Sequence, residues 1–428
     1  MYLLYSLLLT LLFLALLPYF IYQSIRHGKY ASNFTQRMGR LPSSVHGDGR
    51  PTIWAHAVSV GEFNAARPLL ETLRRTLPGY RIVVSTTTIT GQRLARAARP
   101  GLLDAVFYFP FDWAFAVRRA LTEVSPAAVV ILETELWPNF LRECRRRGVP
   151  TIIVNGRISP RSFARYRRVR RFIGRVLNDA NLLVMQSAGD AERARSLGAD
   201  PARVRVCGNL KYDVAAATVD LQSGIDEQFA LSASPHLIVA GSTAPGEEEM
   251  LVQALREVRQ VSALQDARLL IAPRRPERFD EVAALLERSG FQCARRSRGG
   301  GETADIILLD TIGELAEVYR YATVVFVGGS LVPRGGHNII EPAAYAKPIL
   351  VGPHTENFRQ VIADFAGANA VTQVEANGAG SLAHAMIALL SDPEMAREMG
   401  ERARALLRNN QGATECAVAA IRELLGKE

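Results

Sequence analysis

Short apolar runs rich in β-branched residues alternate with amphipathic stretches along the chain after residue 50. Such runs, when turns bound them, indicate buried strands, and the stretches between them have the periodicity of helices. This alternation is typical of parallel sheets covered by helices on both faces. The predicted strands are Thr52–Ala57, Arg81–Thr86, Ala127–Leu132, Thr151–Asn155, Asn181–Gln186, Arg203–Val206, His236–Ala240, Ala267–Ala272, Asp305–Leu309, Thr323–Val327 and Pro348–Val351.

The strands fall into two series, which predicts an α/β chain with two doubly wound, Rossmann-like domains. The segment between the series is rich in Ala, Ser and Asp and contains no predicted strand, so it is interpreted as a linker. A length of 428 residues has room for such an arrangement. The predicted parts are an anchor over residues 1–25, a first domain over 26–212, the linker 213–234 and a second domain over 235–428.

The amino-terminal segment carries no charge from Tyr2 to Tyr22 and ends in tyrosines on both sides. An apolar helix of this length covers a hydrocarbon core of about 30 Å, which predicts a single-pass, N-terminal membrane anchor. A cleaved signal peptide is the alternative, but the segment lacks a preceding positive charge and a small-residue cleavage site. Positive charges follow the segment, so the body of the protein is expected in the cytoplasm: Arg26, Lys29, Arg37 and Arg40.

Composition narrows the class of protein. Charged residues make up 22% and hydrophobic residues 48%, which excludes a wholly disordered chain and a polytopic membrane protein. The net charge of +9 leaves nucleic acid, a membrane surface or an acidic substrate as partners. The four cysteines, Cys144, Cys207, Cys293 and Cys416, are widely spaced, which favours reduced thiols over a disulfide framework or a zinc site.

Two acidic motifs follow predicted strands of the first domain, at the edge where ligands bind in such sheets. Glu62 ends the motif HAVSVGE and begins a helix, so it either faces a ligand or complements the helix dipole. Glu133 and Glu135 lie in ETELWPN and are expected to point the same way from an extended segment. Pairing with nearby arginines is the alternative for these two carboxylates. Lys211, in GNLKYD, is placed to neutralise a phosphate or carboxylate.

An arginine-dense stretch with interleaved aromatic residues occupies residues 157–175. Such a surface suits an anionic bilayer or a phosphorylated substrate, although nucleic acid and a merely solvated face are alternatives. The predicted anchor favours the lipid. The residues are Arg157, Arg161, Arg165, Arg167, Arg168, Arg170, Arg171 and Arg175, with Phe163, Tyr166 and Phe172.

Glycine-rich turns mark the second domain. The turn at 241–246 is not a Walker loop, because Gly-Lys-Ser/Thr is missing, and Arg274 follows a strand where it can clamp an anion. The densest glycine cluster, 327–342, predicts an anion site made of backbone N–H groups, with Asn338 and Glu341 on one face of the next helix. A capping role for Glu341 is the alternative. Neither a dinucleotide fingerprint nor a metal motif such as HExxH is present, so no cofactor and no metal are predicted.

Eight motifs together resemble the bacterial 3-deoxy-D-manno-octulosonic acid (Kdo) transferases of lipopolysaccharide biosynthesis. In order along residues 30–425 they are HAVSVGE, ETELWPN, NGRIS, GNLKYD, AGST-x-x-GEEE, APR-x-PERF, FVGGSLV-x-x-GGHN-x-x-EPA and GPHTENF. The resemblance implies the GT-B glycosyltransferase fold, with the acceptor on the first domain, the nucleotide on the second and chemistry in the cleft between them.

The implied reaction is inverting transfer of Kdo from the donor substrate CMP-Kdo to the 6-hydroxyl of the distal glucosamine of lipid IVA, a lipid A precursor, at the cytoplasmic face of the inner membrane. CMP is released without a metal ion. By the same resemblance Glu62 is the general base, and Glu135 and Lys211 stabilise the transition state. The residues implied to hold CMP are Pro273, Arg274, Ile312, Gly313, Glu314, Asn338, Ile339, Ile340 and Glu341.

Three residues depart from the family pattern beside the implied donor site: Ala244, Pro245 and Arg275. They leave the donor contacts open to change, while the base and nucleotide motifs remain. The alternatives to a transferase are a nucleotide-sugar epimerase of the same fold and a membrane-anchored scaffold that has lost catalysis. The number of Kdo residues transferred, the acyl-chain preference and the oligomeric state are not determined by these motifs.

Overall fold

A computed structural model describes residues 1–27, 33–213, 223–299, 301–375 and 379–426, without the side chains of residues 19–27 and 100. Every predicted strand is confirmed, and three short strands, β3, β10 and β14, were not predicted. The described strands are β1 Thr52–His56, β2 Arg81–Thr86, β3 Ala105–Tyr108, β4 Pro126–Leu132, β5 Thr151–Gly156, β6 Leu182–Met185, β7 Val204–Val206, β8 Leu237–Thr243, β9 Arg268–Pro273, β10 Cys293–Arg295, β11 Ile306–Leu308, β12 Val324–Val327, β13 Ile349–Val351 and β14 Thr372–Gln373.

Helices cover both faces of the sheets, as the sequence pattern predicts. The described α-helices are α1 Tyr2–His27, α2 Phe34–Arg37, α3 Val60–Thr76, α4 Ile89–Ala97, α5 Arg99–Leu102, α6 Ala114–Val124, α7 Pro138–Arg146, α8 Pro160–Arg167, α9 Arg170–Leu177, α10 Ala188–Ser196, α11 Ile225–Phe229, α12 Glu247–Val258, α13 Phe279–Glu287, α14 Leu315–Val318, α15 Ile340–Ala344, α16 Arg359–Gly367, α17 Ala379–Ser391, α18 Pro393–Asn409 and α19 Ala413–Leu424.

The first sheet has seven parallel strands in the order β3-β2-β1-β4-β5-β6-β7. Its central strands are buried on both faces, because most of their residues are apolar, as in Pro126–Leu132. The strand order reverses between β1 and β4, and the carboxyl ends of these two strands form the crevice in which open α/β sheets bind ligands. The motifs of Glu62 and Glu135 follow these two strands.

The second sheet also has seven parallel strands, in the order β10-β11-β9-β8-β12-β13-β14. The strands β8 and β12 lie at its reversal point, and each is followed by one of the glycine-rich turns. Gly241, at the end of β8, has no room for a side chain, since a Cβ there would lie 1.9 Å from the Tyr319 hydroxyl. The two sheets together confirm the predicted α/β class with two Rossmann-like domains.

The end of the chain belongs to the first compact unit, which comprises Met1–Val214 and Gln411–Glu428, while the second comprises Ala215–Asn410. The prediction assigned all of residues 235–428 to the second domain. The structure differs because α19 packs its apolar residues into the core beside α3. Asp213 accepts hydrogen bonds from the N–H groups of Gly412 (2.9 Å) and Thr414 (2.6 Å), which fixes the start of α19.

Part of the predicted linker 213–234 lies outside the described residues, since the structure describes nothing from 214 to 222. The remainder is structured: it contains α11 and the short 3₁₀ helix Leu231–Ala233. The buried side chains of Ile225, Phe229 and Leu231 anchor this segment to the second unit.

The amino-terminal segment forms the helix α1. In the parts of the chain that the structure describes, no helix is both long and apolar enough to cross a membrane, so the predicted anchor over residues 1–25 is not supported. Of the positive charges that oriented this anchor, the side chains of Arg26 and Lys29 lie outside the described residues.

Polar side chains of α1 bond to the first unit at successive turns. The Tyr2 hydroxyl donates to Asp179, the Asn139 amide donates to Ser6 Oγ (2.9 Å), and Trp113 Nε1 donates to Thr10 Oγ1 (3.1 Å). Since these residues lie four apart, they form one face of the helix. That face rests on the protein, and the leucines of the other faces remain exposed: Leu3, Leu4, Leu7, Leu8, Leu11, Leu12, Leu14 and Leu16.

Two of the four cysteines form a disulfide, which corrects the prediction of four reduced thiols. Cys207 follows β7 and Cys416 lies in α19, and their Cα atoms are 5.6 Å apart. The wide spacing that argued against a disulfide misled, because α19 returns to the first unit and brings position 416 beside position 207. Cys144 and Cys293 remain free.

Candidate active site

Glu62 lies in the first turn of α3, directly after the carboxyl end of β1. Ser59 is the N-cap: its hydroxyl accepts from the Glu62 N–H and donates to Glu62 Oε1 (3.1 Å). The Val58 N–H donates to Glu62 Oε2 (2.7 Å). Both carboxylate oxygens are therefore held in place. Glu62 lies in the first turn of α3, where it complements the helix dipole, and it also remains at the crevice.

The environment of Glu62 suits an acid–base group. Burial, together with the nearby carboxylates of Glu133 and Glu135, raises its pKa to about 7, against the hydrogen bonds from Val58 and Ser59, which lower it. The side chain is only 9% exposed, which explains why desolvation is the largest cause. A carboxylate with a pKa near neutrality accepts a proton more readily than an ordinary glutamate does.

Glu133 and Glu135 follow β4, but the backbone between them is not extended as predicted. Glu133 has a left-handed backbone (φ 56°), while its N–H still donates to the Val154 carbonyl (2.9 Å) at the end of β5. The chain therefore turns immediately after the sheet. Burial and then the charge of Glu133 raise the pKa of Glu135. Glu135 in turn raises the pKa of Tyr166 after burial, which places that α8 hydroxyl at the same site.

Lys211 reaches the same group of carboxylates. Its ammonium lies 4.0 Å from Glu133 Oε1, and both side chains are partly buried. Asn155 (φ 60°) ends β5 and accepts from the Leu210 N–H through Oδ1 (3.0 Å), which holds the lysine's segment against the sheet. The structure thus brings Glu62, Glu135 and Lys211 together at one edge of the first sheet and adds Glu133, which the prediction had named only as part of the motif.

The glycine-rich turn of the second unit is filled from within. The carboxylate of Glu247 accepts hydrogen bonds from the N–H groups of Ala244 (2.9 Å), Gly329 (2.7 Å), Ser330 (2.9 Å) and Leu331 (2.9 Å). Glu247 is fully buried. The N–H groups of residues 329–331, predicted to form an anion site, are therefore occupied by an internal carboxylate.

Gly328 allows this carboxylate to approach. A Cβ at residue 328 would lie 2.6 Å from the Ser242 carbonyl oxygen and 2.8 Å from Glu247 Oε2, so a larger residue would displace either the strand end or the acid. No local pattern indicates this role, since Glu247 is one of three consecutive glutamates and lies 82 residues from Gly329.

Asn338 and Glu341 form a second polar group after this turn. The Asn338 amide donates to Glu341 Oε1 (3.0 Å), and its oxygen accepts from the Ile340 N–H (3.0 Å) at the start of α15. Burial raises the pKa of Glu341, while Asn338 and the positive charge of Arg274 lower it. Burial and then Arg274 lower the pKa of His337 to about 4. The structure therefore brings Arg274 to Asn338 and Glu341, and His337 joins them as a neutral imidazole.

The segment 312–314 precedes α14, and its residues differ in exposure and in the contacts that they make. The Ile312 side chain is 79% exposed, which is unusual for an isoleucine. Gly313 has a left-handed backbone (φ 99°), and Glu314 pairs with Arg296 (2.8 Å) and accepts from the Thr311 hydroxyl. Glu314 is thus held by neighbours of its own unit, and Ile312 is the exposed apolar group of this motif.

The remaining positions of the predicted donor site lie at strand and helix ends of the second unit. Pro273 ends β9 and is buried, whereas Arg274 and Arg275 are exposed. The departures Ala244 and Pro245 lie at the turn after β8, where the Ala244 N–H donates to the Glu247 carboxylate and the Ala244 carbonyl accepts from the Glu247 N–H. Ile339 and Ile340 are buried. The side chains exposed for binding are therefore those of Arg274 and Ile312.

Known proteins resemble the chain over both units. Residues 32–214 match the family model described as 3-Deoxy-D-manno-octulosonic-acid transferase (kdotransferase), and residues 249–406 match that of Glycosyl transferases group 1. The putative UDP-N-acetylglucosamine 2-epimerase from Listeria monocytogenes shares the fold at a TM-score of 0.58 and 16% identity, over 88% of this chain and 96% of that one.

Two enzymes match at higher identity. The 3-deoxy-D-manno-octulosonic acid transferase of Bordetella pertussis is 35% identical over 405 residues, which cover 91% of each chain. That of Haemophilus influenzae is 33% identical over 397 residues, which cover 92% of this chain and 91% of the relative. These similarities confirm the resemblance carried by the eight motifs. The chain belongs to the 3-deoxy-D-manno-octulosonic acid transferase family of glycosyltransferases.

Proposed function

We propose that the protein transfers Kdo from CMP-Kdo to the 6-hydroxyl of the distal glucosamine of lipid IVA, with inversion and release of CMP. The observation that carries this proposal is Glu62: a buried carboxylate with a pKa of about 7, fixed at the carboxyl end of β1 beside Glu133 and Glu135. Such a group deprotonates a sugar hydroxyl at neutral pH.

The reaction is a single displacement. Glu62 takes the proton of the acceptor hydroxyl as its oxygen bonds to the anomeric carbon of Kdo from the face opposite the leaving group. The bond from that carbon to the phosphate oxygen breaks, and CMP leaves with the electron pair. Direct displacement inverts the anomeric centre and forms no covalent intermediate with the protein.

Lys211 and Glu135 act on the charges that develop in this step. The Lys211 ammonium, held by Glu133, is available to the sugar carboxylate or the departing phosphate. Glu135, whose own pKa is raised, interacts with the developing positive charge at the anomeric carbon. Both groups are half-buried, so solvent screens their charges less than it does at an open surface.

The second unit is proposed to hold the CMP group. Arg274 supplies a cation to the phosphate, and Asn338 and Glu341 supply a partly buried amide and carboxylate for ribose hydroxyls. The exposed Ile312 provides an apolar surface for the base, with Gly313 and Glu314 beside it. Pro273, Ile339 and Ile340 fix these segments by burial.

We place the protein at the cytoplasmic face of the inner membrane, where its acceptor is embedded. The exposed leucines of α1 and the arginines of α8 and α9 support this location, because together they offer apolar and cationic surface on one unit. A spanning anchor has no part in this proposal. Nucleic acid is not favoured as a partner, since the family acts on sugars.

The test is incubation with CMP-Kdo and tetra-acylated lipid A precursor, with mass spectrometry of the product. Wild type should add the mass of Kdo, and Glu62→Gln should lose roughly 10²–10⁴-fold in transfer while binding CMP nearly as well. Glu71→Gln is the matched control, since Glu71 lies on the same helix, pairs only with Arg67 (2.9 Å) among the described residues and is 47% exposed. Near-normal turnover by Glu62→Gln would refute the base assignment. An inert wild type would instead support the inactive-scaffold alternative.

A further inference from the structure

A groove of about 1120 Å³ lies between α1 and α9. Its walls are of two kinds. One is the apolar face of α1, with Leu4 and Leu8, which are 59% and 57% exposed. The other is cationic and consists of five exposed arginines: Arg167, Arg168, Arg170, Arg171 and Arg175. We call this the α1–α9 groove.

The apolar wall is held in place by the polar face of α1 and by aromatic packing. Phe172 of α9 packs against the rings of Tyr2 (5.5 Å between centroids) and Tyr5 (5.9 Å). The Arg142 guanidinium lies 4.5 Å from the Tyr2 ring centroid. Asp179 also lines the groove. It accepts hydrogen bonds from Tyr2 and Arg145 (3.0 Å), so its negative charge is paired with Arg145 and not with the arginines of the cationic wall.

The cationic wall, by contrast, lacks internal neutralisation. Within the described ranges, no carboxylate lies within ion-pair distance of any of the five arginines, whereas Arg145 and Arg146 of the neighbouring helix α7 pair with Asp179 and Glu143. Five like charges around one groove repel one another, and an anion that enters relieves this repulsion. Since the opposite wall is apolar, the anion that fits is one with a hydrocarbon portion.

The floor of the groove shows that its occupant is not the reacting end of the acceptor. Asn178 and Gly198 follow the carboxyl ends of α9 and α10, and in a parallel α/β sheet these helix ends lie at the edge where the strands begin. Glu62 lies at the opposite edge, where the strands end. A hydroxyl bound at Glu62 is therefore not bound in this groove.

We propose that the α1–α9 groove binds one anionic glycerophospholipid of the bilayer, its phosphate among the arginines and its acyl chains along Leu4 and Leu8. The volume exceeds that of an ordinary small-molecule pocket, as a head group with the first part of two chains requires. Bound lipid then holds α1 flat against the membrane surface. The inference goes beyond the proposed transfer reaction and does not depend on it.

The probe is dihexanoyl phosphatidylglycerol below its micelle concentration, added to the full-length protein without donor or acceptor. Calorimetry should show saturable binding of one molecule, and dihexanoyl phosphatidylcholine should bind far more weakly. The double variant Arg170→Glu/Arg171→Glu should weaken binding about tenfold or more, because each lost attraction near a lipid phosphate counts about 1 kcal/mol. Arg93→Glu/Arg96→Glu is the matched control: the same charge change on exposed arginines of α4 should leave binding unchanged.

A second pair of variants tests the apolar wall. Leu8→Asn should weaken binding of the probe several-fold, whereas Leu3→Asn should not, since Leu3 is 85% exposed and does not line the groove. Equal binding of the phosphatidylcholine probe, or an equal loss in the α4 control, overturns the proposal. Competitive displacement by the tetra-acylated acceptor assigns the groove to the acceptor, and displacement by equimolar inorganic phosphate assigns it to free phosphate; each result also overturns it. Failure here leaves the transfer assay untouched, because that assay does not measure this binding.

Discussion

At the scale of the residue, Glu62 combines two roles that the sequence presented as alternatives. It complements the dipole of α3 in the first turn, and the hydrogen bonds from Val58 and Ser59 hold both oxygens of its carboxylate in place at the crevice. The position of Glu62 was predictable, because a motif after a buried strand fixes it. Its pKa was not, since that depends on burial and on the left-handed backbone at Glu133, which bends a second carboxylate toward the site.

The pH dependence of transfer follows from this environment. The base must be ionised, so kcat/KM should rise about tenfold per pH unit on the acid side and level off above about pH 7, the pKa of Glu62. The measurement is kcat/KM for the acceptor from pH 5 to 9 at fixed ionic strength.

Glu133→Gln identifies the ionising group. Removing the neighbouring charge lowers the pKa of Glu62, so the acid limb of the profile should move to lower pH. Glu71→Gln, on the same helix but exposed, should leave the limb where it is. A limb that stays fixed in Glu133→Gln would show that the observed ionisation is not that of Glu62.

At the scale of the element, the sequence predicted every strand in the middle of each sheet and the edge strand β7, and it missed the three other edge strands. β10 and β14 are edge strands of three and two residues with little apolar character, and β3 is an edge strand of four. Such strands gain most of their stability from a neighbour, and local periodicity does not show a neighbour. The amino-terminal helix was predicted as a helix, but its polar partners, such as Asp179, lie too far along the chain to be read from the segment.

The glycine-rich turn of the second unit yields an element-scale prediction. Glu247→Gln replaces a carboxylate that accepts four backbone N–H groups with an amide that has one acceptor oxygen. Buried donors then lose their partner, and the free energy of unfolding should fall by roughly 2–4 kcal/mol. Denaturant unfolding, followed by far-UV circular dichroism, measures the change in the free energy of unfolding.

The matched control is the adjacent Glu249→Gln, because Glu249 is exposed and should change stability by less than about 0.5 kcal/mol. If the turn positions the donor site, Glu247→Gln should also raise the KM for CMP-Kdo more than that for the acceptor. Equal stability of the two variants would mean that the Glu247 carboxylate does not hold the turn.

At the scale of the whole molecule, the chain leaves the first unit after Asp213 and returns to it as α19. Composition suggested the linker between the two series of strands. The sequence of a single amphipathic helix at the end of the chain, however, does not show which unit the helix packs against. The contacts that decide it are long-range: Asp213 with Gly412, the pair of Arg205 and Glu423 (2.6 Å), and the disulfide.

The disulfide between Cys207 and Cys416 makes this return testable. The two cysteines are 209 residues apart in sequence, and the chain between them contains the second unit. The bond therefore stabilises the first unit by restricting the conformations of its unfolded chain. Cys207→Ser should lower the free energy of unfolding of the first unit by about 2–4 kcal/mol in non-reducing buffer, and should differ little from wild type when dithiothreitol is present. Cys293→Ser removes a free thiol and keeps the bond, so it should match wild type in each buffer. Peptide mapping without reduction should recover residues 207 and 416 in one cross-linked peptide. Two separately alkylated thiols, together with equal stability of wild type in both buffers, would contradict the bond. The cysteines would then be reduced, as expected in the cytosol.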